Sequence, residues 1–118
     1  MINYGFSKEL EGNFDDVKKK VVDALKVEGF GILTEIDVRA KFKEKQDNDF
    51  KRNEILGACN PANAHKSILA EENIGLMLPC NVALFEKEGK IVLSVIKPSS
   101  AMKMIENEKL NEIAFFIE

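Results

Sequence analysis

Two cysteine–asparagine dipeptides are the residues of this sequence best suited to chemistry. Cys59-Asn60 precedes Pro61, which can open a helix, and Cys80-Asn81 begins a strand-like segment. Backbone N–H groups at a helix N-terminus have no partner within the helix, and together with the helix dipole they favour a thiolate. The position therefore predicts a lowered pKa for Cys59. In a thiol-dependent activity, such as sulfur transfer or redox sensing, Cys80 would be the resolving partner.

The only histidine, His65, lies in the first turns of the same predicted helix. If the two strands that carry the cysteines are neighbours, His65 could serve as their base or acid, with Glu35 or Asp37 as candidates for orienting it. The asparagines would line a pocket suited to a small ligand, an anion or a carboxylate. The candidate ligand-binding residues are Cys59, Asn60, Asn63, His65, Cys80 and Asn81; Cys59, Cys80 and His65 are also the catalytic candidates.

A structural interpretation of the same residues is favoured over the reactive one. Cysteine is often buried and then behaves as a small hydrophobic residue. Strand alternation places Cys59 with Ile55 and Gly57, and Cys80 with Val82 and Leu84, so both thiols should face apolar packing. Asn60 is most simply a helix cap. The Cα atoms of Cys59 and His65 would lie about 9 Å apart, which makes metal ligation by Cys59, His65 and Cys80 a minor alternative.

Composition limits the classes of protein to consider. The chain has 118 residues, 45% hydrophobic residues and a net charge of −3, as expected of a single globular domain over residues 1–118. The acidic balance argues against a nucleic-acid partner, and no apolar run is long enough to span a membrane. No secretory signal or cofactor-binding motif is evident, so we expect a cytoplasmic protein without a cofactor.

The elements that must position these residues are a mixture of strands and helices. Alternation predicts a first strand at Ile2, Tyr4 and Phe6, and helical spacing predicts an amphipathic helix from Asn13 to about residue 28. Further strands are predicted at 32–36, 51–58, 80–85 and 90–96, the last two forming an antiparallel hairpin. A helix begins at Asn60-Pro61 with Ala64, Ile68 and Leu69 buried. Another is capped by Ser99 or Ser100, and Leu110, Ile113, Ala114 and Ile117 form an amphipathic C-terminal helix.

Four motifs carry a resemblance to a known family. They are Glu35-Ile-Asp37, Ile55-Leu-Gly-Ala-Cys-Asn-Pro61, Ala64-His65 and Leu78-Pro-Cys-Asn-Val82. In this order and spacing they resemble the domain of unknown function 302 family of bacteria and archaea. The resemblance implies a TATA-binding-protein-like α+β fold in the order strand, helix, four strands, helix, with an antiparallel sheet and helices packed on one face. It also implies a homodimer, and it leaves the activity open.

Overall fold

Five antiparallel strands form one open sheet in the order β1-β5-β4-β3-β2. The computed structural model describes residues 4–47, 49–78, 80–101, 108–109 and 112–113. The strands are β1 (Gly5–Leu10), β2 (Gly31–Asp37), β3 (Asn53–Cys59), β4 (Cys80–Lys87) and β5 (Lys90–Ile96). The helices are α1 (Phe14–Val27), α2 (Val38–Gln46), α3 (Pro61–Ala70) and α4 (Pro98–Ala101), and a 3₁₀ helix over Glu72–Met77 follows α3. The expected α+β class is confirmed, with α2, α3 and the 3₁₀ helix inserted between strands.

Helix α1 forms where the sequence predicts it. The Asn13 side chain accepts hydrogen bonds from the backbone N–H groups of Asp15 and Asp16, at 2.9 and 3.3 Å. The helix is followed by Gly29, whose φ of +86° is a conformation that side chains with a Cβ rarely adopt. Phe14 and Val17 are the buried residues of α1, so this helix closes the core on one side of the sheet.

The core lies between α1 and the middle strands, on what we call the helix face of the sheet. The strand residues that supply its buried part are Leu56, Ala58, Val82, Leu84 and Ile91. They alternate with residues of the opposite side, which we call the open face, as the pleat of a strand requires. The neighbouring interior strands β3 and β4 thus supply four of these five buried residues.

A tight hairpin joins β4 to β5, as the sequence predicts. Its two turn residues, Glu88 and Gly89, have φ angles of +50° and +77°. Positive φ at both central positions is typical of the two-residue turns that match the twist of antiparallel strands. The register then runs from Lys87 opposite Lys90 to Val82 opposite Val95.

The buried side of α3 differs from the prediction. Asn63 and Ser67 are its buried residues, whereas Ile68 and Leu69 are 45% and 72% exposed. The Ser67 hydroxyl donates to the Asn63 carbonyl oxygen at 2.9 Å, so its burial costs little. Apolar spacing is a poor guide here because the inward side of this helix is polar and satisfies its own hydrogen bonds.

The two ends of the chain also bring corrections. The first strand runs from Gly5 to Leu10, later than predicted, because it pairs with β5 from Ile96 to Ile91. Tyr4 precedes the strand, and Ile2 lies outside the described residues. Helix α4 begins at Pro98, so Ser99 is inside the helix and does not cap it; proline suits a first helical position because its φ is already near the helical value.

Part of the predicted C-terminal helix is described. Residues 108–109 and 112–113 are helical, with Glu112 exposed and Ile113 buried, as an amphipathic helix requires. The predictions for Leu110, Ala114 and Ile117 lie outside the described residues.

Candidate functional site

The two cysteines lie on neighbouring strands but not side by side. On β3 and β4, Ala58 is the residue opposite Cys80, and Cys59 is one residue farther along, opposite Gly31 of β2. Because successive side chains of a strand point to opposite faces, Cys80 lies on the helix face and Cys59 on the open face. The register therefore does not bring the two thiols into the single pocket that the sequence suggested.

The acidity of the thiols also differs from the expectation. Burial raises the pKa of Cys59 above its ordinary value. Burial raises the pKa of Cys80 as well, and a negative charge on nearby Cys59 adds to this. At the start of α3, the backbone N–H of Asn63 donates to the side-chain oxygen of Asn60 at 3.2 Å. The Asn60 cap thus occupies a backbone N–H of the first turn, which is therefore not free to stabilise a Cys59 thiolate.

The other candidate residues are dispersed around α3. Asn60 is the helix cap, as predicted, and its amide nitrogen would lie 3.2 Å from a Cβ placed on Gly29, so α3 begins beside the end of α1. Asn63 is buried and His65 is exposed. Asn81 pairs with Gly57, which puts it on the open face with Cys59.

Two carboxylates proposed to orient His65 have other partners. Glu35 forms an ion pair with Lys18 at 3.0 Å. Asp37 caps α2 by accepting a hydrogen bond from the Ala40 backbone N–H at 2.9 Å. Among the residues that the structure describes, no group of three His, Cys, Asp or Glu side chains is arranged to hold a metal ion.

An apolar groove lies on the helix face, and the sequence did not predict it. It has a volume of about 450 Å³ and runs between α1 and strands β1, β4 and β5. We call it the helix groove. Its walls are aliphatic, with three charged side chains at the border: Glu11, Lys20 and Glu28. Its apolar wall residues include Leu10, Val17, Val21, Leu25, Leu93 and Val95.

A smaller cavity lies next to the helix groove, beside Cys80. This Cys80 pocket has a volume of about 140 Å³ and shares three wall residues with the groove: Leu25, Val82 and Val95. Its remaining walls are Phe6, Phe30, Ala58, Cys80, Ile96 and Pro98. Strand alternation correctly predicts that Cys80 and Val82 share a face. The cavity beside them could not be predicted, because its walls come from β1, α1 and α4, which meet only in the folded chain.

A buried charge cluster joins α1 to β3. Glu54, only 5% exposed, accepts from Lys18 Nζ at 2.7 Å and from Arg52 Nη2 at 3.1 Å. Arg52 also binds Asp15 at 2.8 Å, and its guanidinium lies 4.2 Å from the Phe14 ring centroid. The hydrogen bond and the charge of Arg52 lower the pKa of Asp15, and the hydrogen bond that Lys18 donates to Glu54 raises the pKa of Lys18. Each charge is partnered, so the cluster is a structural link.

Comparison with known proteins identifies the family. The model of the domain of unknown function DUF302 matches residues 6–116. The chain belongs to the DUF302 family. Its structure is similar to the crystal structure of an uncharacterized conserved DUF302 protein from Bacillus stearothermophilus, with a TM-score of 0.91 and 28% sequence identity over 99% of this chain and 91% of that one.

Family membership confirms the resemblance and the fold, and it assigns no activity to this DUF302 chain. No protein with a curated function matches the sequence. Within the described part of the chain, no helix is long and apolar enough to cross a membrane. The function must therefore be inferred from the geometry of the DUF302 chain itself.

Proposed function

We propose that this DUF302 chain binds a small apolar ligand in the helix groove. The observation that carries the proposal is the apolar groove on the helix face, with the Cys80 pocket adjoining it across the shared wall residues Leu25, Val82 and Val95. The groove volume of about 450 Å³ falls within the range of about 300–1,000 Å³ common for small-molecule sites, which are mostly apolar with a few polar groups at defined positions. Glu11, Lys20 and Glu28 supply such groups at the border.

This site differs in place and chemistry from the pocket inferred from the sequence. An anion at the start of α3 has less support, because Asn60 already caps that helix and His65 is exposed. The alternative of redox or sulfur-transfer chemistry at Cys59, Cys80 and His65 also has less support, because the thiols face opposite sides of the sheet and burial raises both pKa values. Both cysteines are free, which favours a reducing, cytosolic location.

Filling the helix groove should abolish ligand binding. Ala24 is exposed and lines the groove, so Ala24→Trp should place an indole in it without disturbing the core. We expect the neutral fluorophore N-phenyl-1-naphthylamine to bind the wild-type chain with enhanced emission. Ala24→Trp should weaken that binding at least about tenfold, equivalent to about 1.4 kcal/mol.

Asp23→Trp provides the matched control, because Asp23 is the neighbouring exposed residue of α1 and does not line the groove. It should bind the fluorophore as the wild type does. Absence of binding to the wild-type chain would contradict the proposal. Equal loss in both tryptophan variants would also contradict it.

We also propose that the chain forms a homodimer through the open face of its sheet. A shallow hollow of about 600 Å³ lies there, between Tyr4, Ala83 and Phe85. Tyr4 is 57% exposed and Ile36 of the same face is 45% exposed, which is apolar surface that a second copy could cover. Lys8, Glu9 and Lys87 border the hollow, and a mixture of both charges suits a two-fold contact between identical surfaces.

A charge on the open face should dissociate this dimer. Phe85 lies beneath Lys51, whose ammonium is 5.2 Å from the ring centroid, so Phe85→Glu can pair with that lysine and keep the fold. Sedimentation at about 100 µM should show twice the chain mass for the wild type and the single mass for Phe85→Glu. Leu76→Glu, at a residue 88% exposed in the 3₁₀ helix, should stay dimeric. A monomeric wild type would refute the homodimer.

A further inference from the structure

We propose that the ligand is a small organic acid whose apolar ring occupies the Cys80 pocket and whose carboxylate pairs with Lys97. This inference rests on the proposed function and names the chemistry of its ligand. The first support is the size of the Cys80 pocket, about 140 Å³. An apolar cavity of about 150 Å³ in another protein holds one benzene molecule, so a six-membered ring fits a space of this size.

The walls of the Cys80 pocket favour a ring over a polar group. Phe6 and Phe30 contribute aromatic surface, and Leu25 and Val95 contribute aliphatic surface. Aromatic rings pack well against other rings in offset or edge-to-face arrangements. Cys80 is the only wall residue with a titratable side chain, and burial raises its pKa, which keeps the thiol neutral. The pocket interior therefore offers no charge to a ligand.

A cationic side chain, that of Lys97, lies beside the Cys80 pocket. This residue stands between Ile96 and Pro98, which both line the pocket. Its backbone N–H donates to the Tyr4 carbonyl oxygen at 2.9 Å, which anchors the segment. Its ammonium lies 4.8 Å from the centroid of the Phe6 ring, and Phe6 is a wall residue of the pocket. The cation is thus held against one wall of the pocket, within reach of a charged group on a ligand inside it.

Among the described residues, no carboxylate forms an ion pair with Lys97. A cation beside an apolar pocket complements a molecule with an apolar body and one negative group. Because the pairing takes place near water, we expect it to improve affinity by about three- to fivefold over a neutral analogue.

The test compares 3-phenylpropionate with its neutral amide, 3-phenylpropanamide, by calorimetric titration of the full chain. The acid should bind three- to fivefold more tightly than the amide. Lys97→Met should remove this preference and leave the affinity for the amide unchanged. Lys45→Met removes a charge at an exposed residue of α2 that lines neither the Cys80 pocket nor the hollow of the open face, and it should preserve the preference.

The two free thiols report where the acid binds, because Cys80 lines the pocket and Cys59 lies on the opposite face. Saturating 3-phenylpropionate should slow alkylation of Cys80 by iodoacetamide at least threefold, measured by mass spectrometry, and leave the Cys59 rate unchanged. A phenyl ring at position 80 should fill the pocket, so Cys80→Phe should abolish binding of the acid. This second test locates the binding site without depending on thiol reactivity.

Three results would overturn the inference: no binding of the acid at millimolar concentration, an acid preference that survives Lys97→Met, or unchanged binding in Cys80→Phe. Suppose that one of these results is found, but N-phenyl-1-naphthylamine binds the wild-type chain and binds Ala24→Trp more weakly. The helix groove then remains a ligand site, and only the inference about the organic acid is refuted. Failure of the wild-type chain to bind the fluorophore, by contrast, would refute the proposed function itself.

Discussion

Leu56→Ala is expected to lower the free energy of unfolding by about 2–5 kcal/mol, the range for removing a large aliphatic side chain from a core. Leu56 lies in the interior strand β3, between β4 and β2, and is fully buried. It packs with Ala58 and Val82, and α1 covers it through Val21 and Leu25. The substitution leaves a cavity between sheet and helix that close-packed neighbours cannot fill without strain. Since a small domain has only about 5–15 kcal/mol of stability, the loss should be large.

Urea denaturation followed by far-ultraviolet circular dichroism measures this effect. Leu33→Ala is the matched control, because Leu33 lies in the edge strand β2 and is 66% exposed. It should change the free energy of unfolding by no more than about 0.5 kcal/mol. Similar values for the two variants would show that the core is not centred on β3.

Glu54→Ala should have the second large effect on stability. Removing the carboxylate leaves Lys18 and Arg52 without the partner they share, at 2.7 and 3.1 Å, inside a partly buried cluster. Each cation keeps one other partner, Glu35 for Lys18 and Asp15 for Arg52. We therefore expect a loss of about 2–4 kcal/mol, somewhat less than for a fully isolated buried charge.

Glu35→Ala is the control for this prediction. Glu35 binds the same lysine, but its side chain is 53% exposed, so solvent screens the interaction and the loss should stay below about 1 kcal/mol. A double-mutant cycle of Glu54→Ala with Lys18→Met should give a coupling free energy above about 1 kcal/mol. A coupling near zero would mean that the cluster does not link α1 to β3 energetically.

Local signals in the sequence were enough to predict several elements. Asn13 caps α1 and Gly29 follows it, and Asn60 with Pro61 begins α3, because capping depends on hydrogen bonds within a few residues. The β4–β5 hairpin is predicted for the same reason, since its turn needs only a short loop with a glycine that accepts positive φ. The family resemblance added the order strand, helix, four strands, helix, which the structure shows with α2, α3 and the 3₁₀ helix inserted between strands.

Burial on α3 and β3 could not be predicted from local pattern. Ile68 and Leu69 are apolar but exposed, and Glu54 is charged but buried. Glu54 is tolerated inside because Lys18 comes from α1 and Arg52 from the segment just before β3, and their meeting depends on how the helix lies on the sheet. Hydrophobicity along the chain carries no information on such partners.

The sequence alone determined the α+β class, the family and the thiols as residues of interest, because these depend on residue type and short-range spacing. The tertiary structure decided which face each thiol occupies. Ala58 and Cys80 pair across strands separated by α3 and the 3₁₀ helix, and a shift of one residue in that register would exchange the faces. Register is set by packing of the whole sheet against α1, so the Cys80 pocket, with Lys97 held against its Phe6 wall, appears only in the folded chain.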